Sequence, residues 1–196
     1  MRPFLEKTLD ISREYANYYA PFEHIADPMI DDADEGMTTS SIRNLFDSLR
    51  AELTPIVRAI ADQPPADDRC LRASFSETQQ LSFSRAVVER FGYDFNRGRL
   101  DKTHHPFCTK FAANDVRITT RVRDNDLGDA LFSTIHEAGH ALYELGVSPD
   151  LEGTPLGSGT SAGVHESQSR LWENVVARSE EHTSELQSPY VISYAV

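Results

Sequence analysis

The sequence predicts a mainly α-helical protein with a minor β element. Three observations carry that reading. Apolar residues recur at helical spacing over several long stretches, whereas a two-residue alternation occurs convincingly at one place only. Capping residues, Gly and Pro fall between the helical stretches, where helices start and stop. A chain of 196 residues, 39% hydrophobic and 26% charged, can bury a core without staples.

Taken in order, Phe4 to Tyr19 reads as an amphipathic helix through Phe4, Leu5, Leu9, Ile11, Tyr15 and Tyr18. Residues 20–37 hold Pro21, Pro28 and Gly36 with Asp31, Asp32, Asp34 and Glu35. This reads as a loop with a solvated acidic cluster, because the spacing of an EF-hand is absent. Thr38 or Thr39 caps a helix with Ile42, Leu45, Phe46, Leu49, Leu53, Ile56, Val57 and Ile60 along one stripe. Pro55 is expected to kink it and Gln63-Pro64-Pro65 to end it. The next helix starts near Ser76, with Leu81, Phe83, Ala86, Val87, Val88 and Phe91 as its buried side and Gly92 as C-cap. Residues 93–113 read as irregular. The period then changes to two over residues 115–122, with Asp115, Arg117 and Thr119 on one face and the opposite face buried. Residues 126–145 return to helical spacing, stopped by Gly146.

Charge and composition exclude several function classes. With 19 Lys+Arg against 31 Asp+Glu, the formal net charge of −12 argues against nucleic acid as the partner, since phosphates need a basic face. No apolar run is long enough to span a membrane, and the first residues carry charges where a signal peptide would be apolar. Cys70 and Cys108 sit in contexts that suggest no disulfide, so a cytoplasmic protein is expected.

Five of the seven histidines (His104, His105, His136, His140, His165) fall within residues 104–165, which points to the chemistry. His136-Glu137-x-x-His140 lies inside the helix read over 126–145. Four residues turn a helix by roughly 400°, so both imidazoles leave one face about a turn apart and can share a tetrahedral metal ion. Glu137, next to the first histidine, can reach a metal-bound water without binding the metal, as in zinc peptidases. Glu166, 26 residues after His140 and across a loop rich in Gly, Ser, Thr and Pro, opens another helix through Leu171 and Trp172. Two histidines and one glutamate leave a coordination position open, the pattern of a catalytic metal. His165 is the rival third ligand. It projects roughly 100° from Glu166 on a helix, so both cannot easily face one ion, and spacing favours Glu166.

Four segments, His105-Pro106-Phe107, Asp115-Val116-Arg117-Ile118-Thr119, His136-Glu137-Ala138-Gly139-His140 and His165-Glu166-Ser167-Gln168, resemble in order the signature motifs of the Taq-type (thermostable) metallocarboxypeptidases. The resemblance implies a large, mostly helical, cytoplasmic peptidase, usually a homodimer, that removes single C-terminal residues from peptides with broad preference and poor tolerance of Pro. It implies one Zn2+, with Co2+ a possible substitute, held by His136, His140 and Glu166, and Glu137 as general base. His105, Asp115, Arg117 and His165 would be substrate-side groups or partners of the ligands. Members are much longer than this chain. The segments Ile-Arg-x-x-Ala-Asp and Gln-Asp-x-His-Trp, which by resemblance hold the substrate's terminal carboxylate and stabilise the transition state, are absent. Residues 1–177 therefore read as the central part of such a catalytic domain, and the isolated chain is expected to have little activity.

Residues 178–196 lose the helical pattern. Arg178 through Ser188 and Ile192 through Val196 match the in-frame translation of a common short-read sequencing adapter. They are read as a non-native tail, and His182 is set aside with them.

Overall fold

A computed structural model of the chain describes residues 1–65 and 67–178. These fall into two units, Met1–Ala59 with Ser161–Gly163, and Ile60–Thr160 with the residues from Val164 on. Apart from Arg178, the segment read as a non-native tail lies outside the described residues.

The first unit holds three helices. Helix α1 (Arg2–Asn17) starts with a proline in its first turn, where a missing N–H leaves no hydrogen bond unmade. Helix α2 (Asp27–Ala33) corrects the expectation of a loop over 20–37. Seven residues are too few to show periodicity, and Asp31 and Asp32, two of the acidic residues that suggested a loop, are exposed on it. Asp27 Oδ1 accepts the Thr39 amide at 2.8 Å and Oδ2 accepts the His24 amide at 2.9 Å, joining the start of α2 to the start of α3. Helix α3 (Thr39–Ala61) keeps its expected extent and runs on past Pro55. None of its residues is buried; Leu45, Phe46, Leu49 and Ile56 stay about half exposed. Asp34 accepts the Gly163 amide and the Ser161 hydroxyl, which ties residues 161–163 into this unit.

In the second unit, helix α4 (Glu77–Arg90) opens with a capping box. The Ser76 hydroxyl accepts the Gln79 amide at 3.3 Å, and Gln79 Oε1 accepts the Ser76 amide at 2.9 Å. Its buried positions are Gln80, Ser84 and Val88, spaced four apart, so the inner face is rotated from the one expected. Phe83 is half exposed and Ala86 exposed. Gln80 can be buried because its amide donates to the carbonyls of Phe75 and Arg123, both at 3.0 Å.

Residues 93–113 are not irregular throughout. They contain strands β1 (Leu100–Lys102) and β2 (Cys108–Ala112), which flank β3 (Asp115–Thr120) in the order β1-β3-β2. β1 runs parallel to β3, pairing Leu100 with Ile118, and β2 runs antiparallel, pairing Lys110 with Val116. Both new strands are too short for their own alternation to register, and a shift between Lys110 and Ala112 breaks it in β2. In β3 the expected inward residues Val116, Ile118 and Thr120 are fully buried. Thr119, on the other face, is buried as well, its hydroxyl bonded to both the amide and the carbonyl of Phe107.

Helix α5 (Leu127–Leu145) is capped by Asp126, whose carboxylate accepts the Asp129 amide at 3.2 Å. It packs on α4, β2 and β3, and Ile135, Ala138 and Ala141 join Val88, Tyr93, Val116 and Ile118 in one core. The Tyr93 hydroxyl donates to the Val116 carbonyl at 2.7 Å. A Cβ at Gly98 would stand 2.1 Å from the Val116 carbonyl oxygen, so the chain before β1 passes where a side chain cannot. Helix α6 (Ala162–Arg170) continues into a π-helical turn, Leu171–Val176, where Trp172 stacks on Phe91 at 4.7 Å. No helix among the described residues is long and apolar enough to cross a membrane.

Burial pushes the Cys108 thiol up to about 12, with Glu137 and Glu144 adding to the shift, whereas Cys70 is exposed. At pH 8 only about one Cys108 thiol in ten thousand is ionised, and the thiolate is the reactive form. A thiol titration of the folded chain at pH 8 is expected to show one fast-reacting cysteine, Cys70, with Cys108 appearing only on denaturation. Two equally fast thiols would contradict the packing of β2 against α5.

Candidate metal centre

Helical geometry sets the first two members of the site. His136 and His140, one turn apart on α5, face the same way with ring centroids 4.9 Å apart. The third arrives from α6. Glu166 Oε2 lies 3.3 Å from His140 Nε2 and 3.7 Å from His136 Nε2, and one ligand atom from each residue falls within 4.8 Å of the others. Donors bound tetrahedrally at zinc distances stand about 3.3 Å apart, so both contacts to Glu166 are close to what one shared ion requires. Among the described residues this is the group of His, Cys, Asp or Glu that could hold a metal.

The chemical state of the three donors suits a cation. Burial lowers His140 to about 4, reinforced by His136 and His165, so its imidazole is neutral at pH 7 and keeps a lone pair. Burial pushes Glu166 up, but the Arg170 hydrogen bond and the charges of His136 and Arg170 outweigh it, and the carboxyl is held below its ordinary value. Glu137 is 7% exposed. Burial raises it to about 7 against the opposing pull of His136, with Glu166 and Glu173 pushing the same way as burial.

Each histidine ring is also held from behind. His136 Nδ1 lies 2.8 Å from Glu173 Oε2, and a carboxylate can only accept, so Nδ1 carries a proton and Nε2 is the ring nitrogen that faces Glu166. Glu173 is itself buried, and its other oxygen accepts Arg178 Nη2 at 2.6 Å. Arg178, the first residue of the segment read as a tail, also lies over the Phe132 ring. On the other side, His140 Nδ1 is 2.6 Å from His165 Nδ1, and His165 Nε2 is 3.0 Å from Glu144 Oε1. His165 therefore stands behind His140, away from the space that Glu166 faces.

The remaining residues singled out from sequence are placed differently. Asp115 and Arg117 pair with each other through two bonds of 2.7 and 2.6 Å, and Arg117 lies over the Phe111 ring. The Arg117 hydrogen bond holds Asp115 low. His105 is exposed on the loop between β1 and β2 and is not one of the groups gathered around Glu166. Sequence reasoning missed Glu144, Lys110, Arg170 and Glu173. Two of them carried a signal: Glu144 follows His140 by one helical turn, and Glu173 follows Glu166 by two.

The approach of α6 to α5 depends on Gly139, between the two histidines. A Cβ there would stand 2.6 Å from Ser169 Cα and 2.8 Å from the Gln168 carbonyl oxygen, backbone atoms that cannot turn aside. Gly139→Ala must push α6 outward and carry Glu166 with it. The variant is expected to lose about 1–3 kcal/mol of stability in denaturant titration and to bind zinc more weakly than the parent chain. Unchanged stability and zinc affinity would show that the contact tolerates a methyl group.

Similarity to known proteins shows the family. The family model described as Carboxypeptidase Taq (M32) metallopeptidase matches residues 1–189. Carboxypeptidase 1 of Bacillus subtilis is 37% identical over 178 residues, which cover 90% of this chain and 36% of that protein. Thermostable carboxypeptidase 1 of Pyrococcus furiosus is 35% identical over 182 residues, 91% of this chain and 36% of the other. Among solved structures, the M32 carboxypeptidase of Deinococcus radiodurans R1 superposes with a TM-score of 0.84 at 52% identity, again over 90% of this chain and 36% of that one. The chain thus spans about a third of the length of these relatives. It belongs to the Carboxypeptidase Taq (M32) metallopeptidase family.

Proposed function

We propose that the chain carries the metal centre of a carboxypeptidase that hydrolyses single C-terminal residues from peptides with broad preference. The observation that supports this reading most directly is the convergence of His136, His140 and Glu166 beside a buried Glu137. The ion proposed is zinc, with cobalt able to replace it, and the donor set of two imidazole nitrogens and one carboxylate oxygen fits such a divalent ion. Bound there, it supplies Lewis acidity, polarising the scissile carbonyl and acidifying water.

The residues of the chain do the rest. His136 and His140 direct Nε2 lone pairs at one point, and Glu166 adds the negative charge. Glu137, adjacent to the first histidine and sheltered from solvent, takes a proton from the attacking water on its carboxylate and passes it to the leaving amine. His105, Asp115 and Arg117 are proposed to stand on the substrate side, and His165 behind the ligands. The complete protein is proposed to be a cytoplasmic homodimer. The isolated chain, which spans 36% of its relatives' length, is proposed to have little turnover of its own.

Zinc titration of the purified chain tests the centre. One equivalent is expected to bind, His140→Ala and Glu166→Ala are expected to lose it, and Glu137→Gln is expected to keep it. An N-blocked peptide tests the reaction. Whatever turnover the chain has is expected to release single C-terminal residues and to fall about 10²–10⁴-fold in Glu137→Gln. Internal cleavage would favour an endopeptidase, and turnover retained in Glu137→Gln would remove that residue from the mechanism.

A further inference from the structure

His136 Nδ1 faces a carboxylate, whereas His140 Nδ1 faces an imidazole. His140 Nδ1 meets His165 Nδ1 at 2.6 Å, and His165 Nε2 meets Glu144 Oε1 at 3.0 Å. Glu144 is buried and held from three sides. Its Oε2 accepts Lys110 Nζ at 3.1 Å, the Gly159 amide donates to both of its oxygens at 3.2 and 3.1 Å, and Lys110 Nζ also donates to the Gly157 carbonyl at 2.6 Å. Lys110 reaches this point because it pairs with the buried Val116, and residues directly opposite on antiparallel strands share a face, here the one packed on α5.

The donors and acceptors in this chain are dictated one after another. Glu144, paired with an ammonium and accepting an amide, can only accept from His165, so His165 carries its proton on Nε2. The 2.6 Å contact places one proton between the two Nδ1 atoms, and with His165 holding a single proton, on Nε2, that shared proton belongs to His140 Nδ1. His140 Nε2 is left as a lone pair aimed toward Glu166. We infer that Lys110, Glu144 and His165 form a positioning relay that selects the Nδ1–H form of His140 and fixes its ring for metal binding. The inference rests on the metal-centre reading proposed above for its consequence, but its first step, the proton on His140 Nδ1, does not need a metal. His165, Glu144 and Lys110 are positioning residues. They act on the ion through His140, and Glu144 also ties the loop at residues 157–159 to the same helix.

The test uses the 196-residue chain labelled with 15N in histidine. In the metal-free parent, the ring-nitrogen shifts are expected to show His140 protonated on Nδ1. His165→Ala is expected to abolish that preference and to weaken zinc binding about 10–100-fold in a chelator competition, with an unchanged circular dichroism spectrum. His165→Gln, whose amide offers an acceptor and a donor about as far apart as the two ring nitrogens, is expected to recover most of both. A parent with His140 protonated on Nε2 would overturn the relay without any variant. So would a folded His165→Ala with zinc affinity within threefold of the parent, or a His165→Gln no better than His165→Ala. A parent that shows the Nδ1–H form yet takes up no zinc would support the relay and sink the metal-centre reading, so the two failures are distinguishable.

Discussion

Everything around the site depends on how closely α6 lies against α5. The two histidines come from one helix and the carboxylate from another, and the space between them is set where the backbone of Gln168 and Ser169 crosses Gly139. A side chain of any size at that point would separate the helices by more than the few tenths of an ångström that a coordination sphere tolerates. The core below serves the same end. Ile135, Ala138 and Ala141 seat α5 on β3 and α4, so the face carrying His136 and His140 is turned away from the core. Small residues along α5 thus govern two approaches, the sheet on one side and α6 on the other.

The carboxylates behind the two histidines are each held by several partners at once. Glu173 is buried yet sits among His136, Arg170 and Arg178, and Glu144 among His165, Lys110 and the Gly159 amide. Burial alone would push both carboxyls up, and the hydrogen bonds and charges bring them below their ordinary value. Among the described residues Glu137 shares the burial without hydrogen-bonded partners of that kind and goes the other way. Neighbouring carboxyls in one small region are thereby given different tasks by environment: two that stay ionised to hold histidines, and one poised nearer neutrality.

The sequence made the long elements legible and the short ones not. Helices α3 and α5 announce themselves because 19 or more residues repeat one period and carry caps at their ends. The strand β3 alternates over six residues. Strands β1 and β2 exist only as partners of β3, and their pairing is a non-local fact that no window of sequence contains. On α4, the pattern of apolar residues was a poor guide because Gln80 and Ser84 take the innermost positions, the Gln80 NH2 group donating to the carbonyls of nearby Phe75 and distant Arg123. For the site, the pairing of His136 with His140 could be read directly because it is a property of one helix, whereas Glu166 was singled out by its place after the following loop. Lys110 could not be read, because only the register of β2 on β3 brings it under Glu144.

The placement of Glu166, Ser169, Arg170 and Glu173 within eight consecutive residues has a consequence for portability. The carboxylate that faces both histidines, the arginine that steadies it and the carboxylate behind His136 all ride on one rigid segment. His136, Glu137, Gly139, His140 and Glu144 ride on another. The centre is in effect two cassettes joined at a single crossing, with Lys110 the one contribution from a strand. A designer wishing to transplant it would need to reproduce one interhelical geometry, one lysine, the loop amide of Gly159 and the arginine beside Glu173.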